Sequence, residues 1–571
     1  MIGTRGRWAH RRTESRGAGA LATFCLLAAV SVAASPLPWP AAPTGTDAPS
    51  MGARTCVPFS LAGWTPEPAA PAAPSGPPPF RLSGEAEDKR QNSLSAPKGK
   101  ALQAWLESAG FAAVVTVNYW TSNSFPEDRD FRITLDDQIR RIFLLRGWRF
   151  DSNQFSLNWS HFLSGAIYYQ FGRGSRMSWL YSWAMAMAGS TWWEVVGEPK
   201  EVIAINDQIM TGLGGFAAGE PWYQIGHYLI HRKGLLPRAL SLLNPAVRLN
   251  HWLDGKNAAA ADFEPPGWHE INLFAGARWI SSGGGTPGAG TYLGFEARLL
   301  GIPEYGRSGE FRRAAKDPYW SEITLDYALR GGHAEETRFF TKAVALGRFV
   351  QRIGGDGAGY SLTLGFGSAF ELFKKRPIAD YDADPVPVKT DFGRLCLDEP
   401  RNFTDKLAVL HVAGPVLDWT VFRRDLRLST VLEAYGDFAL VNACALNDYS
   451  AAHDIVGLKT TVFYYGYYYG FGGTASASAR LDWKGFRARG LAAFSAWGSA
   501  DVLDRFQDEV TNNSHLSDVR ARFLLGAGWR MPGTPLELFA EVESVRRGGR
   551  LAEVRASRLE KKACAGLAFS F

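Results

Sequence analysis

Cysteine is scarce in this chain, with five in 571 residues, and no long apolar run follows the first forty positions. Cys56, Cys396, Cys444 and Cys564 lie far apart, without the paired spacing that a zinc site needs, so no metal is expected. On spacing alone, a Cys396–Cys444 disulfide and unpaired small hydrophobes are both open. The lack of a stretch of about 18 apolar residues argues against retention in an inner membrane. Catalytic signatures are missing too: there is no Gly-x-Ser-x-Gly elbow and no His-Glu-x-x-His helix. No Lys-Ser/Thr pair follows the glycines at 212–219, which weakens a phosphate-cradling reading, and no cofactor is expected.

A basic balance is also largely absent once the N-terminus is set aside. The whole chain has a formal charge of +6, but residues 1–34 hold five arginines against Glu14, a surplus of four, leaving about +2. Nucleic-acid binding therefore has no support. Those arginines precede an apolar run, Ala18 to Ala34, that ends in small residues before Ser35, as in a cleaved signal peptide. Phe24 stands where a lipoprotein signal needs a small residue before its cysteine.

Residues 35–100 read as a linker, rich in Pro and Ala to about Pro79, with too little apolar surface to offset chain entropy. Residues 101–256 read as a helical domain, with apolar segments near 135–145, 161–171, 178–189 and 224–230. A first extended segment is expected at 112–119, because Val114, Val115, Thr116, Val117 and Tyr119 favour strands.

From residue 266 to 571 the period becomes two. Val519, Ala521, Phe523, Leu525, Ala527 and Trp529 alternate with Arg520, Arg522, Gly526, Gly528 and Arg530. A strand with one apolar and one charged face fits between lipid and a wet interior. The fold class expected is a membrane β-barrel, antiparallel, of about 12–14 strands, behind an N-terminal α-helical block. Among thirteen candidate strands are 457–470 and 474–484, and the tyrosines at 464–469 suggest an interfacial girdle. Leu567, Phe569 and Phe571 form an apolar stripe ending in an aromatic, like the C-terminal strand that barrel-assembly machinery recognises. The expected partners are that machinery and outer-membrane lipid, in the outer membrane of a Gram-negative envelope.

The helical block carries polar residues in a distinctive order: DSNQF at 151–155, HFLSGAIYYQFGR at 161–173, GSTWWEVVGE at 189–198, INDQIMTGLGGFAAGE at 205–220 and WYQIGHYL at 222–229. Over about residues 148–229 this resembles a bacterial family of uncharacterised proteins, domain of unknown function 3943. The matching motif residues are Asp151, Asn153, Arg173, Ser190, Trp193, Asn206 and Gly219. Phe162, Ala204-Ile205 and Gln224 depart from the family's usual Pro, Pro-Ser and Arg. The resemblance implies an envelope protein and supplies no activity.

Glu194 and Glu198 are four apart, so a helix would put them on one face, with Pro199 ending it. Arg173 and Arg176 are available partners, and a paired structural network is the expected role of these carboxylates. The residues lean toward a non-enzymatic channel, transporter or envelope scaffold, with the helices sealing or bracing the barrel. The alternative is an outer-membrane enzyme acting on lipid or envelope polymer. It would use His161 as base, Glu194, Glu198, Asp207 and Glu220 as acid, orienting or metal-binding groups, and Ser164 or Ser190 as nucleophile.

Overall fold

A computed structural model describes residues 100–121, 131–153, 155–254, 266–282, 288–375, 405–505, 507 and 510–571. The expected signal peptide, nearly all of the linker, Cys56 and Cys396 lie outside these residues, and so does the Cys396–Cys444 pairing.

Period-two patterning becomes long antiparallel strands: β3 (Trp268–Ser282), β4 (Gly288–Leu300), β5 (Gly309–Ala315), β6 (Trp320–Arg330), β7 (His333–Ile353), β8 (Gly359–Lys375), β9 (Lys406–Arg423), β10 (Leu426–Asn442), β11 (Tyr467–Trp483), β12 (Phe486–Ser499), β13 (Leu516–Arg530), β14 (Leu536–Leu551) and β15 (Val554–Ser570). The strands β1 (Trp148–Arg149) and β2 (Ile203–Ala204) form a separate parallel pair in the helical block. Each barrel strand pairs with its neighbours, β15 pairs with β3, and β7 pairs with β8, which closes the sheet. The barrel has twelve strands, because β5 only extends the line of β6 along the far half of β7.

Two strand expectations change. Residues 460–465 are helical, and Tyr467–Trp483 is one continuous strand rather than parts of two. Gly466, at φ 70°, ends the short helix and starts the strand, a left-handed turn that glycine adopts without strain. The short, charged β5 (GEFRRAA) was not among the candidates.

Alternation sorts the side chains. Ion pairs join strands that are not neighbours in the sheet, such as Lys342 to Glu433 at 2.7 Å and Arg520 to Glu371 at 3.0 Å, so these residues face the lumen. The intervening residues face outward, and many are large, apolar and exposed, among them Leu428, Leu432, Phe494, Phe523, Leu525, Val542 and Leu567. Outward Trp419, Trp483, Phe486 and Trp529 cluster toward the end where tight turns join β9 to β10 and β11 to β12.

The helical block comprises α1 (Ala101–Thr121), α2 (Phe155–Gly174), α3 (Trp179–Trp192), α4 (Gly214–His231) and α5 (Pro245–Asp254), with shorter turns between. The extended segment expected at 112–119 is helical. Ala104, Ser108, Ala112, Thr116 and Tyr119 are buried at helical spacing, so burial of one face overrides the β preference of the valines. Among the described residues no helix is long and apolar enough to cross a membrane by itself.

This block packs on the outside of the barrel. Phe150, Phe155 and Phe162 share a core with Phe370, Leu372, Leu410, Phe438, Tyr467 and Tyr469, all of which sit on the outward register of their strands. At the other end of α4, Ile225, Tyr228 and Leu229 meet Ile271, Ala297 and Leu299, outward residues of β3 and β4. Helix α4, about 27 Å long at 1.5 Å per residue, therefore runs along the wall.

Glycine brings the helices together. A Cβ on Gly165 would lie 1.9 Å from the carbonyl oxygen of Thr211, and one on Gly215 would lie 2.8 Å from Ala186 Cβ. Gly165→Ala is therefore expected to force α2 away from 208–213 at a cost of about 3 kcal/mol or more. The block should become sensitive to protease while the barrel keeps its heat-modifiable gel mobility. An unchanged digestion pattern would sink this packing account.

Candidate functional site

Local sequence positions the first polar cluster. Asp151 precedes α2, Asn158 and His161 lie on its first two turns, and Asn206-Asp207 form the short turn after β2. Asn206 is fully buried: its amide NH2 donates to Asp151 Oδ1 (3.1 Å), Asn158 Oδ1 (2.9 Å) and Asp207 Oδ1 (2.9 Å). Its own Oδ1 accepts the Asp151 backbone N–H at 3.0 Å. Asn153 Nδ2 donates to Asp151 Oδ2 at 2.6 Å.

The barrel completes this cluster. Tyr469 donates its hydroxyl to Asp151 Oδ1 at 2.6 Å, Tyr467 donates to the Asn153 carbonyl at 2.6 Å, and Asn158 Nδ2 reaches both hydroxyls at 2.7 Å. Tyr467, Tyr468 and Tyr469 are fully buried, so they form no interfacial girdle. Tyr467 and Tyr469 dock the helices, whereas Tyr468 points into the lumen and donates to Asp518 at 3.0 Å.

A second cluster surrounds Glu220, whose fully buried carboxylate receives Arg173 in a two-pronged pair (2.8 and 3.2 Å), Tyr169 (2.5 Å) and Gln224 (2.6 Å). Gly219 leaves room for the Tyr169 ring, which a Cβ would approach to 2.7 Å. Arg173 is thus the partner of Glu220 rather than of Glu194 or Glu198, the role for which its place in the sequence made it available.

Glu194 and Glu198 belong to a third cluster, where α3 widens into a π-helical turn, Trp193–Gly197, and Glu198 lies just beyond it. Glu194 accepts the Ala204 N–H at 2.8 Å, which ties this turn to β2. Burial pushes the Glu194 carboxyl up to about 8, with the Ala204 N–H opposing. Fully buried Arg141 donates to the backbone carbonyls of Glu194, Glu198 (2.8 Å) and Glu201 (2.6 Å), closing the helix end. Trp193 packs edge-on against Tyr119 at 5.6 Å.

His161 and Asp207 come together, Nε2 to Oδ2 at 3.3 Å, with the histidine partly exposed. The Ser190 hydroxyl faces the Asp207 carbonyl at 3.4 Å, and Glu220 belongs to the separate Arg173 cluster. Among the described residues, no three His, Cys, Asp or Glu side chains are grouped to hold a metal ion. The residues missed in sequence are Arg141, Asn158, Tyr467 and Tyr469. The tyrosine run was visible, but strand register alone decides which of its members face the helices.

The lumen holds its own network. Glu336 and Glu543 lie among Arg278, Arg338, Arg522 and Lys562, and Glu270 pairs with Arg480 and Arg487. A cavity of about 310 Å³ remains between these pairs, lined in part by Arg298, Glu322, Lys342 and Glu541. Toward one mouth, residues 443–466 fold inward. Leu446, Tyr449, Leu458 and Val462 pack on lumen-facing Phe373, Val409, Val441 and Trp497. Toward the other mouth, Tyr305 reaches in and bonds Thr420 and Arg427 at 3.1 and 2.9 Å.

Closure into twelve antiparallel strands, with charge inside and an apolar wall outside, defines a β-barrel of the outer-membrane type with helices mounted on its wall. Residues 147–246, within that helical block, match the family described as domain of unknown function (DUF3943). The barrel is also similar to solved outer-membrane proteins. OmpT of Vibrio cholerae is 5% identical, covering 53% of this chain and 97% of that one with a TM-score of 0.20. The TodX monoaromatic hydrocarbon channel deltaS2 mutant is 7% identical, covering 56% and 93% with a TM-score of 0.22. The anion-selective porin of Comamonas acidovorans is 7% identical, covering 53% and 99% with a TM-score of 0.19. No curated protein matches the chain.

Proposed function

We propose that this chain is a non-enzymatic outer-membrane protein, an envelope scaffold whose barrel is closed and whose wall is braced by the helical block from the lipid side. The observation that carries this reading is a lumen crossed by ion pairs, with a cavity of about 310 Å³ between them, and covered toward one mouth by residues 443–466. An open porin needs a continuous water path, and buried, mutually paired charges do not provide one. Of channel, transporter and scaffold, closure favours the scaffold. Outer-membrane lipid supplies the surroundings of the apolar wall, and Leu567 and Phe569 on β15 offer an apolar stripe of the kind that barrel-assembly machinery engages.

Purified full-length protein in planar bilayers is expected to give no resolvable conductance steps at moderate voltage. Stable, ion-selective steps would overturn the scaffold reading in favour of a channel. The enzymatic alternative rests on the close approach of His161 to Asp207. It predicts that His161→Ala keeps the folded barrel yet abolishes modification of lipid or envelope polymer.

A further inference from the structure

Residues 232–254 follow α4 at the end of the block where Tyr228 packs on His269, the second residue of β3. Leu240 in this segment packs against the cluster containing Ile271 and Leu299, near the ends of β3 and β4. Leu235, Leu242 and Trp252 are nonetheless 86, 62 and 77% exposed. From Pro221 to Leu253 the sequence contains no acidic residue, while Arg232, Lys233, Arg238 and Arg248 supply positive charge. The first three of these cations are exposed.

The surface above this segment has the opposite character. On α1 the exposed positions include Leu102, Trp105, Leu106, Val114, Val117 and Trp120, and the helix's one charged residue, Glu107, bonds Gln103 and Asn250. Helix α3 contains no charged residue. An apolar belt bordered by aromatic and cationic side chains is how a protein meets the boundary between acyl chains and phosphate headgroups. The barrel repeats this order at its tight turns, where outward Trp419 and Trp483 precede exposed Arg423, Arg424 and Lys484.

From this juxtaposition we infer that residues 232–254 form an interfacial collar that binds anionic phospholipid. Leu235, Leu242 and Trp252 enter the acyl-chain margin, and Arg232, Lys233 and Arg238 hold the headgroup phosphate. The inference rests on the outer-membrane reading above. Charge complementarity and continuity with the apolar wall select this occupant, because a soluble protein partner would leave the adjoining α1 face uncovered.

The test uses full-length protein reconstituted in phosphatidylcholine vesicles doped with spin-labelled phosphatidylglycerol or spin-labelled phosphatidylcholine. Electron paramagnetic resonance reads the motionally restricted fraction of each. Wild type should favour phosphatidylglycerol about five-fold or more at low salt, in line with the attraction of a basic residue to an anionic surface, and less at high salt. R232Q/K233Q/R238Q should bring the two lipids close to parity, with gel heat-modifiability showing an intact barrel. A turn variant, R423Q/K484Q, should keep most of the preference. The collar is overturned if wild type shows no preference, if the collar variant retains it, or if the turn variant alone removes it. Failure of the outer-membrane reading looks different: neither labelled lipid shows a restricted fraction.

Discussion

Asn206→Leu is expected to detach the helical block from the barrel wall while leaving the barrel itself assembled. The wild-type amide serves three side-chain acceptors and one backbone donor, all inside a fully buried cluster. Leucine keeps similar bulk but removes every one of these bonds. Each buried polar group left without a partner costs ~1–3 kcal/mol, so the sum is several kcal/mol. The groups are coupled: with Asn206 gone, the Asp151 and Asp207 carboxylates lose the amide they share. Tyr469→Phe removes the bond given to Asp151 and the one accepted from Asn158, which keeps Tyr467 as a partner, and should cost less, about 1–2 kcal/mol. The check is limited proteolysis with gel mobility. Asn206→Leu should release fragments from 131–254 while the barrel stays heat-modifiable, and Tyr469→Phe should digest almost as wild type does. Equal digestion of all three proteins would show that apolar packing alone holds the block.

How much of this was legible beforehand depended on the range of the interaction. Period-two patterning over residues 266–571 revealed the barrel because one face of each strand meets the lumen and the other the outside, a local property of the chain. Strand ends were less legible. Tyr464 to Tyr469 look like one aromatic unit, yet Gly466 breaks them between a helix and a strand, and strand alternation then sends Tyr467 and Tyr469 to the helices and Tyr468 to the lumen. The motif order from Asp151 to Glu220 did mark polar side chains that meet one another. Which of them meet was not readable, since Arg173 finds Glu220 only once α2 and α4 run side by side. The valines of α1 show the converse failure: local propensity favoured a strand, and the buried face of the helix decided otherwise.

Lys459→Met is expected to loosen residues 443–466 from the barrel mouth. Lys459 has no exposed surface, and its ammonium lies 2.8 Å from Asp501 Oδ1 and 3.8 Å from Asp504 Oδ2, with Asn513 accepting as well. The substitution takes charge-assisted bonds from Asp501, which is about a third exposed, and from Asn513, at a cost of about 2 kcal/mol. The apolar contacts of Leu446, Tyr449 and Val462 oppose the loss, so partial opening is the outcome expected rather than full release. Added protease should cut within 443–466 in the variant and spare the wild type. Brief conductance events should also appear in a bilayer where wild type is silent. Alkaline pH should act in the same direction through Asp504, whose carboxyl burial pushes up to about 8 from an ordinary aspartate value of about 4. The closed arrangement therefore holds a proton that the loosened one releases. Its contribution to closure is full below about pH 4 and is lost as pH rises through about 8. Asp504→Asn keeps the neutral side chain at every pH and should abolish this dependence. A pH response that survives in Asp504→Asn would assign the sensitivity to another group.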